Sequence, residues 1–168
     1  ATAAAIDRDG WFHTGDAGYL KDSHLYLTER IKDLFKTSNG KYISPQALET
    51  KLAIDRYIDQ IAVIADERKF VSALIVPVYG FVKDYAKEKG IAYSNMDELL
   101  QHPKIQALFR ARIDTLQQQF AHYEQVKRFT LLTEPFSMER GELTNTLKLK
   151  RSVVAKNYKG LIDKMYEE

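Results

Sequence analysis

Two apolar, β-branched runs stand close together in this chain: Ile61-Ala-Val-Ile-Ala65 and Val71–Val78, separated by Asp66-Glu67-Arg68-Lys69. Short runs of this kind, broken by one polar turn, predict a buried hairpin. A chain of 168 residues has room for such a core, since a domain near this size buries about 70% of its unfolded surface. Helical periodicity takes over after the hairpin. Phe81–Lys89 predicts a short helix ending at Gly90, and Ser94 with Asp97 predicts a capping box before Leu99-Leu100. Ile105, Leu108, Phe109, Ile113, Leu116 and Phe120 recur at helical spacing, and Phe129–Leu132 predicts a short strand. Val154, Tyr158, Leu161, Ile162 and Met165 predict one closing amphipathic helix.

The segment before the hairpin is strand-like and rich in turns. Trp11–Thr14 alternates, and Ala17–Leu20 and Leu25–Thr28 flank Lys21-Asp22-Ser23-His24 as a hairpin. Ile31–Thr37 and Tyr42-Ile43 predict a second two-stranded pair around Ser38-Asn39-Gly40. Ser44-Pro45 then predicts a helix start, with Leu48 and Leu52 on one face. The whole predicts an α+β fold. Residues 30–168 form a small domain of β-hairpins and a short mixed sheet flanked by helices, and 1–29 are the β-rich tail of another domain. The opening Ala1-Thr2-Ala3-Ala4-Ala5 lacks an initiator Met, a basic stretch and a long apolar run, so it reads as a cut inside a longer chain and not as a signal peptide.

Composition removes several chemistries. There is no cysteine, hence no disulfide, thiolate metal site or thiol nucleophile. His13, His24, His102 and His122 lack metal-ligand spacing, and no metal ligand is assigned. No apolar run reaches the roughly 18 residues of a membrane span. No GxxxxGK[ST], GxGxxG or GxSxG string occurs.

Four strings carry the functional reading. In order they are Trp11-Phe-His-Thr-Gly-Asp16, Glu29-Arg-Ile-Lys-Asp33, Lys36-Thr-Ser-Asn-Gly-Lys-Tyr-Ile-Ser-Pro45 and Gly141-Glu-Leu-Thr-Asn-Thr-Leu-Lys-Leu-Lys-Arg151. Taken together, over essentially the whole chain, they resemble the C-terminal end of an AMP-forming acyl-CoA synthetase. That family sits in the adenylate-forming superfamily with firefly luciferase and peptide-synthetase adenylation domains. The 108 positions from Gly40 to Lys148, with His122–Leu132 and Glu134-Pro-Phe-Ser137, look like the long-chain fatty acyl-CoA synthetases. The chain departs from the usual pattern at Glu29, Asn39 and Asn145, where the family commonly has Gly, Gly and Pro. Asn145 is expected to leave a mobile loop.

The resemblance implies a small mobile C-terminal lid and a role for six residues. Asp16 would accept both ribose hydroxyls of ATP with its two carboxylate oxygens, or otherwise serve as an ordinary turn residue. Arg30 would hold the ribose side of the nucleotide with its fixed fork of donors. Lys32 would be the hinge. Lys36 and Gly40 would belong to the CoA-side loop used in thioester formation, Gly40 also being suited to a tight turn. Lys148 would be the adenylation lysine, a protonated clamp between two anions. Lys150 is the alternative, with Lys148 favoured because Thr144-Asn-Thr-Leu aligns it.

The implied reaction takes fatty acid, ATP and CoA to acyl-CoA, AMP and pyrophosphate, with Mg²⁺ bound on ATP by ligands outside this chain. The implied partner is the chain's own N-terminal adenylation domain, and the fragment alone is expected to be inactive. A cytoplasmic location follows, with peripheral membrane contact at the cytoplasmic face compatible with a lipid substrate. From Lys127 to Lys164 nine Lys and Arg face four acidic residues, a charge that suits nucleotide phosphates. Two rivals remain at this stage: a non-catalytic CoA or acyl-carrier binding module, and a nucleic-acid binder using Lys148, Lys150 and Arg151. Tyr158 and Tyr166 speak against the nucleic-acid binder, because they fall on an apolar stripe and are not interleaved with the basic run.

Overall fold

The computed structural model describes residues 6–167, with backbone alone at 28–30 and at 32. The buried hairpin is its centre. β5 (Ile58–Ile64) pairs antiparallel with β6 (Val71–Pro77), and β7 (Val126–Leu131) joins β6 on its other side in parallel. The sheet is therefore mixed, in the order β5-β6-β7. Every residue of β6 is buried, as a middle strand covered on both faces requires.

Strand alternation divides the core in two. Val71, Ala73 and Ile75 face one cluster; Leu74 and Val76 face the other. The first face is covered by α1 (Pro45–Leu52), α2 (Tyr79–Glu88), α3 (Met96–Gln101) and α4 (Pro103–Leu116), through Leu48, Val82, Leu99 and the fully buried Phe109. The second face is covered by α5 (Arg151–Asn157), α6 (Lys159–Lys164) and the segment after β7, through Val154, Ile162 and Phe136. The α+β expectation is met.

The structure departs from the sequence expectation in four places. Ile31–Asp33 is a 3-10 turn and not the start of a strand: the Leu34 N–H bonds back to the Ile31 carbonyl at 3.3 Å, while the Ile31 N–H bonds to the Gly15 carbonyl at 2.8 Å. That leaves β3 (Phe35–Lys36) and β4 (Tyr42–Ile43) only two residues each. Trp11–Thr14 forms no strand; Phe12 makes one bridge to Ile6. The cap of α3 is Asn95 and not Ser94: its side chain accepts the Glu98 N–H at 2.9 Å, while Glu98 Oε2 accepts the Ser94 N–H at 2.7 Å. The closing helix is two helices. The backbone turns at Tyr158 (φ −105°, ψ 18°), whose ring sits edge-on to Phe136, and the apolar spacing runs on across the break.

β1 (Asp16–Lys21) and β2 (His24–Arg30) make a separate two-stranded sheet. Asp22 and Ser23 both have positive φ, 50° and 62°, the left-handed pair that a two-residue hairpin turn requires. A bulge falls at Ala17/Gly18, and a Cβ on Gly18 would lie 2.6 Å from the Tyr26 carbonyl oxygen, so only glycine fits.

Candidate functional site

The β1–β2 register places Asp16 directly opposite Arg30. The Thr14 hydroxyl accepts the Asp16 N–H at 3.1 Å, which fixes the turn leading into β1. Lys32 follows within the 3-10 turn. The side chains of Arg30 and Lys32 lie outside the described residues, so the register brings together only the backbone of the Asp16–Arg30 pair.

Lys36 and Gly40 lie on the β3–β4 hairpin. Gly40 has φ +75° and open space around its Cα, so backbone conformation and not crowding selects glycine here. The hairpin is docked on the β5–β6 turn: the Lys36 N–H donates to Asp66 Oδ1 at 3.3 Å, Glu67 N–H to the Lys36 carbonyl at 2.8 Å, and Ser38 N–H to the Arg68 carbonyl at 3.0 Å. The Lys36 ammonium lies 6.0 Å from the centre of the Tyr42 ring and is exposed to solvent.

Lys148 stands in a tight turn closed by the Leu143–Leu149 bridge. The Thr144 N–H donates to the Lys148 carbonyl at 2.8 Å, and the Thr144 hydroxyl accepts the Lys148 N–H at 3.0 Å. These bonds brace the turn at its base, where Asn145 suggested a loose loop. The Lys148 side chain is exposed, and its ammonium has no ion pair or hydrogen bond among the described residues. Among the described residues it is a free cation at the end of a braced turn. Lys148 and Lys150 flank the partly buried Leu149, and both are exposed.

Two features of this turn were not read from sequence. Leu147 sits at φ +59° with 68% of its surface exposed. A left-handed leucine costs about 1–2 kcal/mol in backbone strain, and little packing offsets it. Leu147→Gly is expected to raise the unfolding free energy by about 1 kcal/mol, read by chemical denaturation; an unchanged midpoint would mean the leucine is held by contacts worth as much.

The second feature is Glu142, a fully buried carboxylate. It accepts from Arg140 Nε at 3.1 Å, from Asn157 Nδ2 at 3.1 Å and from the Ser137 N–H at 3.0 Å, while its carbonyl accepts the Lys150 N–H at 2.8 Å. Burial alone would raise its pKa. The hydrogen bonds from Arg140, Asn157 and Ser137 outweigh burial and hold the carboxyl below its ordinary value. Glu142 thereby ties the Lys148 turn to the segment after β7 and to the end of α5. Its string, Gly141-Glu-Leu-Thr, was visible, but its partners are not adjacent in sequence.

Around the turn Thr144, Asn145, Thr146 and Lys150 offer hydroxyl, amide and ammonium groups and no carboxylate, so they do not fit Mg²⁺. No group of three or more His, Asp or Glu among the described residues could hold a metal ion. No helix among the described residues is long and apolar enough to cross a membrane.

The architecture is thus an α+β domain that carries two short loops on one mixed sheet, each presenting an exposed lysine. The chain belongs to the AMP-binding enzyme C-terminal domain family, whose model matches residues 32–168. It is 35% identical over 171 residues to the peroxisomal long chain acyl-CoA synthetase 7 of Arabidopsis thaliana, covering 99% of this chain and 24% of that protein. It is 35% identical over 173 residues to long-chain-fatty-acid–CoA ligase 5 of Rattus norvegicus, covering 99% of this chain and 25% of the relative. The chain therefore spans about a quarter of the length of these curated relatives. The crystal structure of the adenylation domain of a carboxylate reductase from Mycobacterium chelonae matches in fold with a TM-score of 0.80. The match covers 99% of this chain and 25% of that chain at 24% identity.

Proposed function

We propose that this chain is the C-terminal part of an AMP-forming long-chain fatty acid–CoA ligase. In the first half-reaction the fatty acid carboxylate attacks the α-phosphate of ATP, giving acyl-adenylate and pyrophosphate. In the second, CoA displaces AMP and leaves as the thioester. The observation that carries this reading is the family match over 32–168, together with relatives named as long-chain ligases along 99% of the chain.

Within this reading Lys148 is the adenylation lysine. An unpaired ammonium on a braced turn can meet the carboxylate and the α-phosphate together and hold the charge that develops between them. Asp16 and Arg30 grip the ribose, Lys32 is the hinge, and Lys36 with Gly40 forms the CoA-side loop. Mg²⁺ arrives with ATP and is held by ligands outside this chain.

Residues 1–29 are assigned to the larger adenylation domain and 30–168 to the lid. Support comes from the β1–β2 hairpin, which carries Leu20, Leu25 and Leu27 exposed at 76%, 64% and 67%. A lone two-stranded hairpin is marginal in water, and these side chains suit an apolar neighbour. Since the adenine, acyl and phosphate sites would lie in that neighbour, the isolated chain is expected to make no acyl-CoA.

The test is product analysis with the full-length protein that carries this chain. Fatty acid, ATP and CoA are expected to give thioester, AMP and pyrophosphate in equal amounts. ADP and phosphate, or binding of CoA without turnover, would refute the reading.

A further inference from the structure

A two-pronged ion pair joins residues 102 positions apart. Arg151, the first residue of α5, donates from Nη1 to Glu49 Oε1 and from Nη2 to Glu49 Oε2, each at 2.6 Å. Glu49 Oε1 also accepts the Val63 N–H at 2.8 Å. Val63 lies in β5, an edge strand of the sheet, so this carboxylate is pinned to the rigid part of the fold. On its other side the guanidinium lies 5.5 Å from the centre of the Phe35 ring. Phe35 pairs with Ile43 in the β3–β4 hairpin and immediately precedes Lys36.

One planar cation therefore touches α1, through Glu49, and the hairpin of Lys36 and Gly40, while standing three residues after Lys148. A two-pronged guanidinium–carboxylate pair fixes orientation as well as distance, and stacking on an aromatic ring fixes the plane. Lysine can do neither.

We propose that Arg151 is a positioning residue, clamped by Glu49 and laid against Phe35, that holds the Lys148 turn and the Lys36–Gly40 hairpin in one fixed relation. The two loops then move as a single body when the domain turns from one half-reaction to the other. This rests on the functional reading above. An ion pair serving stability alone would leave the chemistry intact in any folded variant. A clamp must affect both half-reactions, although different loops serve them.

The experiment uses the full-length protein with Arg151→Ala, Arg151→Lys, Glu49→Ala, Glu49→Gln and the double variant Glu49→Ala/Arg151→Ala. For each, kcat and KM are measured for fatty-acid-dependent pyrophosphate exchange and for thioester formation from supplied acyl-adenylate. Both Arg151 variants are expected to lower kcat in both half-reactions by about 10²-fold, the cost of misplacing a reacting group by about 1 Å. KM for ATP is expected to stay within about threefold. The double variant should fall no further than Arg151→Ala, because the two residues act as one unit.

Loss confined to one half-reaction, additive losses, or a shift in unfolding midpoint with kcat unchanged would overturn the clamp. Should the alanine variants fail to fold, Glu49→Gln, which can keep the Val63 bond, decides: unchanged kcat in both half-reactions overturns it. Amide hydrogen exchange supplies a readout independent of activity. In Arg151→Lys, the amides of Thr37 and Lys148, which bond within their own loops to the Lys41 carbonyl and the Thr144 hydroxyl, should both exchange faster; acceleration at only one or at neither overturns the clamp. Absence of pyrophosphate exchange in the unmodified full-length protein would instead sink the functional reading, and hydrogen exchange would then judge the clamp alone.

Discussion

Replacing Lys148 by alanine in the full-length protein is expected to abolish most of the first half-reaction and spare the second. Fatty-acid-dependent pyrophosphate exchange should fall by about 10²–10³-fold, the cost of removing one preorganised charge at a transition state, or about 3–4 kcal/mol. Thioester formation from supplied acyl-adenylate should stay near the unmodified rate. The structure gives this lysine the right character. Among the described residues its ammonium is unpaired, and it is exposed, so no salt bridge there must be broken before it can bind an anion; its turn is braced by the two hydrogen bonds between Thr144 and Lys148. Lys150 is exposed as well, but its N–H is tied to Glu142 at the start of α5. Lys150→Ala measured in parallel is expected to lose less than about tenfold, the scale of a charge that steers but does not touch. The opposite ranking would move the role to Lys150.

The second large effect is at Glu142. Glu142→Ala removes the acceptor of Arg140, Asn157 and the Ser137 N–H at one stroke. Hydrogen bonds to a charged group are worth about 1.5–3 kcal/mol each, yet they do not simply add here. Arg140 is 38% exposed, so water can take over part of its donors, and it also bonds Glu134 and the Pro135 carbonyl. A net loss of about 3 kcal/mol in unfolding free energy is expected, read by chemical denaturation. A loss below about 1 kcal/mol, the level of an ordinary exposed pair, would contradict the account.

The same residue gives a pH dependence with a definite sign. Its folded pKa lies below the ordinary value, so the folded state binds the proton less readily than the unfolded chain. The contribution is therefore complete above the ordinary glutamate range, near pH 4.3, and is lost as pH falls through the depressed folded value. The gap in stability between the unmodified protein and Glu142→Gln should close as pH falls, and a gap that widens in acid would reverse the assignment.

How much of this was legible in the sequence depends on how local each cause is. β6 was legible because a middle strand buried on both faces is a nearly continuous apolar run, and Val71–Val78 is one, interrupted only by Ser72. The cap of α3 was misplaced by one residue because Ser94 and Asn95 are both good caps; the spacing from Asn95 to Glu98 decided it. Ile31–Asp33 reads as strand only as part of Ile31–Thr37, and the 3-10 turn that replaces it is closed locally by the Leu34 N–H on the Ile31 carbonyl. The four family strings named Lys148, Lys36 and Gly40 without saying what holds them. Glu142 sits inside one of those strings, yet its burial comes from Arg140, Asn157 and the turn at Ser137. Arg151 closes the last of those strings while Glu49 lies in none of them, and nothing local announces that they meet.

The central claim is that this chain serves acyl-adenylate formation. Its most direct test is pyrophosphate exchange by the full-length protein with ATP and a long-chain fatty acid, in the absence of CoA. The account expects labelled pyrophosphate to enter ATP only when the fatty acid is present, because the adenylate forms reversibly before CoA is needed. Exchange that requires CoA, or none with any carboxylic acid, would contradict it.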